Sequence, residues 1–125
     1  MVMPMISRRQ KEHEEHRDWL RTLDFFQDEI KIFQNELAEV LRRHPNLLSV
    51  VEHVDEYRRI LLKKLEHIDN LRCGIQSQER VLAGLSVHGS LPTHQRIKAD
   101  YEDFTEQFDR FKQGFRRFVA RQYAY

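Results

Sequence analysis

The sequence is poor in the residues that break helices or build disulfide frameworks. Its 125 residues include one cysteine, four glycines and three prolines. A lone cysteine, Cys73, excludes an internal disulfide and a four-cysteine zinc site. The scarcity of glycine and proline, together with 33% charged residues, is typical of long solvated helices rather than a turn-rich β fold. The composition therefore predicts an all-α protein in a reducing compartment.

An excess of one charge and a long apolar run are also missing. Lys and Arg total 21 against 20 Asp and Glu, so no global field draws the chain toward nucleic acid or a membrane surface. No run approaches the roughly 18 apolar residues that span a bilayer. The start MVMPMISRRQ has the reverse of the charge order of a secretory signal. We therefore expect one cytoplasmic domain, residues 1–125, with no membrane as partner.

The chain does have a heptad pattern of apolar residues. Between 19 and 40 they alternate at steps of four and three, and the pattern resumes between 47 and 85. The turn His44-Pro45-Asn46 separates these two stripes, because proline cannot continue a helix. A third stripe is aromatic, at 101, 104, 108, 111, 115 and 118. These stripes predict helices at about 7–43, 46–85 and 91–122.

Three such helices predict an antiparallel up-down-up bundle, in which the aromatic stripe faces the other two and fills the core. Lys64 and Gln78 interrupt the second stripe. Gly74 predicts a bend or a frayed turn in the second helix. The segment 83–92 contains two glycines, two serines and a proline, and is the expected mobile loop.

Some large apolar residues lie outside the stripes. Phe25 and Ile32 are one heptad apart on the first helix, and the turn is expected to place Phe26 level with Leu61. Leu62 then comes to the height of Phe25. Because exposed apolar patches usually mark protein contacts, we expect Phe25, Ile32 and Leu62 to form the interface of a homodimer or a partner complex. The alternative is a monomer with scattered exposed residues.

The segment Glu12-His13-Glu14-Glu15-His16 is the most chemically suggestive part of the chain. Glu12 and His16 share a helix face, and counting along the stripes places His94 at the height of His16. A metal-binding or metal-sensing bundle using His13, His16 and His94 is therefore an alternative function. The competing interpretation, which we favour, is that polar residues are ordinary at the wet end of a stripe. We expect no metal and no other cofactor.

Basic residues collect at the opposite end of the predicted bundle. They raise nucleic-acid binding as a second alternative, because clustered cations contact phosphates. Cations in the last turns of two helices are also what the helix dipole favours, so nucleic acid is not the expected partner. The residues concerned are Arg42, Arg43, Arg116, Arg117 and Arg121.

Signatures of catalysis are missing from the sequence. There is no glycine-rich phosphate loop, no Gly-x-Ser-x-Gly elbow and no set of kinase motifs. His53 and His67, two heptads apart, raise phosphotransfer, but the small residues and following lysine-glycine of such domains are missing. We predict that the protein is not an enzyme and has no catalytic residue.

The segment WLRTLDFFQDEIKIFQNELAEV, followed by a long helix with LEHIDNL, resembles small uncharacterised bacterial helical-bundle proteins of the coiled-coil type. The resemblance covers most of the chain. It implies a helical bundle without an assigned activity.

Overall fold

A computed structural model describes residues 7–85 and 93–123. These residues form three helices and no strand, which confirms the prediction of an all-α three-helix bundle. The predicted mobile loop lies largely outside the described residues, at 86–92, as do the first six residues and the last two. None of the described helices is long and apolar enough to cross a membrane. The helices are α1 (Arg8–Arg43), α2 (Leu48–Leu82) and α3 (His94–Gln122).

Hydroxyl caps set the starts of α1 and α3. Ser7 Oγ accepts a hydrogen bond from the Gln10 amide at 3.1 Å, and Thr93 Oγ1 accepts one from the Arg96 amide at 3.1 Å. Each cap satisfies an amide that has no partner inside its helix. The start predicted for α3, residue 91, is therefore three residues too early, because Thr93 is an extended cap and the helix follows it.

α2 is shorter than predicted at both ends. Leu47 is an extended N-cap, so the helix begins at Leu48, two residues after the predicted start. At the other end Gly84 has a left-handed φ of 76°. The amide of Leu85 donates to the carbonyl of Arg80 at 2.9 Å, a pattern that stops a helix. The predicted extension to Leu85 is wrong because this left-handed glycine turns the chain away.

Contacts between α1 and α2 show that these helices are antiparallel. His16 lies against Glu79, and Asp24 lies against Arg72. Residue numbers thus rise along α1 while they fall along α2.

Contacts between α1 and α3 show that these two helices are parallel. His16 contacts His94 near the starts of both helices, and the His44 ring contacts the carbonyl of Gln122 at their ends. The three helices therefore run up, down and up, and the starts of α1 and α3 share one end of the bundle.

The heptad stripes form the core, except at the ends of the second stripe, where Leu47 and Leu85 are exposed. Phe108 and Phe115 of α3 are fully buried, and their ring centroids lie 4.8 Å from Phe26 and 4.7 Å from Phe33 respectively. The aromatic stripe is thus interior, as predicted. Its other members are Phe104 and Phe118, which are buried, and Tyr101 and Phe111, which are partly buried.

The irregular positions of α2 do not interrupt the helix. α2 continues through Gly74, so the chain is not frayed there. Lys64 Nζ lies over aromatic rings of α3, 5.0 Å from the centroid of Phe111. Partial burial lowers the pKa of the Lys64 ammonium. Lys64 therefore fills its stripe position with its aliphatic stem while the ammonium lies against ring faces.

Candidate functional site

A buried histidine joins all three helices at the end where α1 and α3 begin. His16 occupies the first turns of the α1 stripe and is fully buried. Its Nδ1 lies 2.7 Å from Glu79 Oε1 of α2, and its Nε2 lies 2.9 Å from His94 Nδ1 of α3. Both ring nitrogens therefore have a partner on another helix, as burial of a polar ring requires.

Further polar groups extend this contact in both directions. His13 Nδ1 lies 2.7 Å from Glu79 Oε2. His94 is buried, and its Nε2 lies 3.8 Å from Glu15 Oε2. The ring of Trp19 stacks on His94 with centroids 5.2 Å apart. We call the group His13, Glu79, His16 and His94 the histidine cluster.

A carboxylate only accepts hydrogen bonds, so His13 and His16 each donate to Glu79 from Nδ1. Between His16 and His94, one ring nitrogen donates and the other accepts, according to the tautomers of the two rings. No buried side-chain polar atom lacks a partner among the described residues. The arrangement holds the helix ends in register.

The sequence-predicted metal ligands come together, but they contact one another. His13, His16 and His94 meet at one end, as the stripes indicated. Glu12 takes a different partner and pairs with Arg8 at 3.1 Å. Over residues 7–85 and 93–123, no group of three or more His, Cys, Asp or Glu side chains is arranged to hold a metal. The nitrogens of His16 are both occupied by protein partners.

Glu79 is the cluster member that sequence reasoning missed. Glu79 directly follows the stripe position Gln78 and belongs to no motif. Its role follows only from the α1–α2 register, which brings it opposite His13 and His16. The sequence did offer one signal for Glu79, because it places a carboxylate at the edge of the α2 stripe, opposite a helix with two histidines.

The end of the bundle that was predicted to be basic contains carboxylates beside its arginines. Arg42 and Arg43 both donate to Glu39, which lowers the pKa of its carboxyl to about 2. Arg116 Nη2 lies 4.0 Å from Glu29 Oε2. Three of the five arginines named for nucleic-acid binding therefore face a carboxylate.

The interface residues predicted from the sequence are exposed. Phe25 is 60%, Ile32 55% and Leu62 60% accessible. Glu29, which lies between Phe25 and Ile32 in sequence, is 3.2 Å from Lys112 of α3. Because residues three and four apart share a helix face, Phe25 and Ile32 lie on the edge of α1 that borders α3.

Leu62 lies beside the opposite edge of α1. It is one heptad before Asp69, which pairs with Arg72, and Arg72 donates to Asp24 and Gln27 of α1 at 2.7 and 2.9 Å. Leu62 therefore belongs to the α1–α2 side of the bundle. The expected patch across α1 and α2 is not continuous, because α1 separates its members.

The register expected for α1 and α2 also differs from the one observed. Phe26 contacts Phe104 and Phe108 of α3. These rings lie against His67 and Lys64 of α2. Leu61 comes three to six residues before that part of α2, an offset of about 5–9 Å at 1.5 Å per residue. Counting from the turn assumed a symmetric hairpin.

A groove lies next to Phe26, the neighbour of Phe25 in the chain. It runs between α1 and α3 and has a volume of about 480 Å³. Phe26 and Tyr101 contribute to its apolar surface, and Lys112 closes one end. Phe26 lines the groove and directly follows Phe25 in the chain, so the groove lies at the height of Phe25. Phe26 also contacts Phe104 and Phe108. Its remaining lining residues are Glu102, Thr105, Glu106 and Asp109.

The other histidines of α2 have local partners. His67 Nε2 lies 3.0 Å from Asp100 Oδ1 of α3, and His53 Nδ1 lies 2.6 Å from the carbonyl of Ser49. Cys73 is exposed. The His67–Asp100 contact ties α2 to α3, and the phosphotransfer hypothesis gains no further support from it.

Comparison with known proteins finds no matching protein-family model, no matching curated protein and no matching solved structure.

Proposed function

We propose that this protein acts without catalysis, by associating with a second copy of itself through the outer face of α1. The observation that carries the proposal is a pair of large apolar side chains, Phe25 and Ile32, that are more than half exposed on the edge of α1 that borders α3, where a groove lies next to Phe26. Exposed apolar side chains grouped in this way mark protein contacts. We call Phe25, Ile32 and the groove the α1–α3 face.

Two-fold symmetry explains why two residues one heptad apart suit a homodimer. In an isologous contact each copy presents the same surface. If two α1 helices cross antiparallel midway between Phe25 and Ile32, Phe25 of each copy packs on Ile32 of the other. The same operation places Arg21 opposite Glu36, and Glu14 opposite Arg43. These pairs have opposite charge, which supports this orientation. Two like pairs remain. Asp18 faces Glu39, where each acid already has an arginine neighbour, and Asp28 faces Glu29, whose carboxylate lies 3.2 Å from Lys112.

The groove supplies area that the two side chains alone lack. A stable interface buries about 800 Å² on each partner. The surface formed by Phe26 and Tyr101 continues the apolar surface of Phe25 onto α3. A second copy lying across α1 therefore contacts both helices, which is consistent with an apolar centre and a charged rim.

The test is a pair of charge substitutions with a matched control. The variant Phe25→Glu/Ile32→Glu should be a folded monomer, because both residues are exposed in the single chain. Leu62→Glu changes an equally exposed residue on the other side of α1 and should remain dimeric. Light scattering after gel filtration gives the mass, and circular dichroism checks the fold.

Two results would contradict this interface. A dimer that survives in the double variant would show that another surface mediates association. Loss of the dimer in the Leu62→Glu control would move the interface to the α1–α2 side.

A further inference from the structure

The turn between α1 and α2 exposes two adjacent leucines at one end of the bundle. Leu47 and Leu48 are 53% and 70% accessible. Leu47 is the extended N-cap of α2 and makes no side-chain capping bond. A polar cap is the usual residue at this position, so an apolar side chain here is not explained by helix formation.

The end of α3 lies beside this turn. The His44 ring contacts the carbonyl of Gln122 at 3.2 Å, and the Arg43 guanidinium lies 4.5 Å from the centroid of the Tyr123 ring. Tyr123 is itself an exposed aromatic residue. We call Leu47, Leu48 and Tyr123 the crest of the bundle. The crest therefore combines two leucines with a tyrosine, a residue that favours membrane interfaces.

The charge around this crest is positive. Residues 40–51 and 110–123 contain arginine and lysine but no aspartate or glutamate. The first turn of α2 is likewise free of acids. The nearest carboxylates along the chain are Glu39, which Arg42 and Arg43 share, Glu52 and Asp55 of α2, and Asp109 of α3. The acids thus lie behind the crest, on the side toward the middle of the bundle.

We propose that this end of the bundle docks on the surface of an anionic lipid bilayer. Leu47 and Leu48 enter the boundary between headgroups and acyl chains, while the arginines beside them contact lipid phosphates. The leucines favour lipid over nucleic acid as the anionic partner, because a phosphate backbone offers no apolar layer to receive them. No helix has to cross the bilayer for this mode of binding.

This docking is independent of self-association. Phe25 and Ile32 lie on the middle of α1, about 20–30 Å from the crest at 1.5 Å per residue. A dimer formed through the antiparallel α1–α3 face therefore carries one crest at each end. Binding of one crest to a bilayer therefore leaves the α1–α3 face of the dimer undisturbed.

The experiment is co-sedimentation of the full chain with vesicles. Vesicles of phosphatidylcholine with phosphatidylserine should sediment the protein at low salt, and vesicles of phosphatidylcholine alone should sediment at least about tenfold less. Added salt should weaken binding, because arginine–phosphate contacts are screened. Leu47→Ser/Leu48→Ser should lose about tenfold in binding to the anionic vesicles.

Leu85→Ser is the matched control. Leu85 is exposed to a similar degree but follows α2 at the other end of the bundle, so this variant should bind like the unaltered chain. Circular dichroism checks that each variant folds.

Three results would overturn the proposal. The first is no sedimentation with anionic vesicles, and the second is unchanged binding by the double serine variant. The third is tighter binding to an oligonucleotide than to anionic vesicles, unaffected by the leucine substitutions, which would assign the basic end to nucleic acid.

Discussion

At the scale of single residues, His16 is the side chain whose environment is most demanding. A fully buried imidazole is stable only where both of its nitrogens find partners. Glu79 and His94 provide them from two different helices. A residue that the sequence presented as a possible metal ligand therefore connects all three helices at one end of the bundle.

Replacing His16 should cost far more stability than replacing its exposed neighbour. His16→Ala removes a buried ring and leaves the buried His94 Nδ1 without its hydrogen-bond partner, which should lower the free energy of unfolding by about 2–4 kcal/mol. His13→Ala removes a half-exposed ring from the same carboxylate and should cost about 0.5 kcal/mol. Urea unfolding measures both. Equal losses for the two variants would show that burial of the cluster contributes little.

Glu39 provides a second prediction at the residue scale, this time of pH dependence. Hydrogen bonds from Arg42 and Arg43 lower the pKa of its carboxyl from 4.5 to about 2. A depressed carboxyl pKa stabilises the fold at pH values above 4.5, and this contribution is lost as pH falls toward 2. An NMR titration should find the Glu39 midpoint near 2 at low salt.

The matched variant for this titration is Arg42→Gln/Arg43→Gln, in which the Glu39 midpoint should return toward 4.5. A midpoint that stays the same in both proteins would show that the arginines are not its cause. High salt should shift the midpoint in the same direction as the double substitution, because Glu39 is at the surface.

At the scale of the helices, the stripes predicted from the sequence are the core in the structure, apart from Leu47 and Leu85 at the two ends of the second stripe. Their period of three and four residues matches the helix itself, so helix type and buried positions could be read directly from residue order. Helix ends were less predictable, because they depend on single features such as the left-handed Gly84. Glu79 and the position of Leu62 could not be found, because they depend on the register between helices.

Truncating a buried ring of the α3 aromatic stripe should destabilise the bundle. Phe108→Ala should lower the free energy of unfolding by about 3–5 kcal/mol, because a fully buried ring is replaced by a cavity. The same substitution at Phe25, which is 60% exposed, should cost less than about 1 kcal/mol in the monomer. Thermal unfolding at low protein concentration compares the two. Similar losses would contradict the assignment of α3 as the interior of the bundle.

At the scale of the whole molecule, three regions of the bundle differ in kind. One end is closed by the histidine cluster, the opposite end carries two exposed leucines among arginines, and the α1–α3 face lies between them. The cluster satisfies its own polar groups, whereas the other two regions leave apolar side chains in water. Of these three regions, the α1–α3 face and the crest are the ones that we propose as binding surfaces.

Native mass spectrometry of the untagged chain over a range of concentrations measures its self-association directly. Self-association through the α1–α3 face predicts a species of twice 15.2 kDa that dissociates on dilution and is missing in Phe25→Glu/Ile32→Glu. A species of 15.2 kDa at every concentration would contradict self-association.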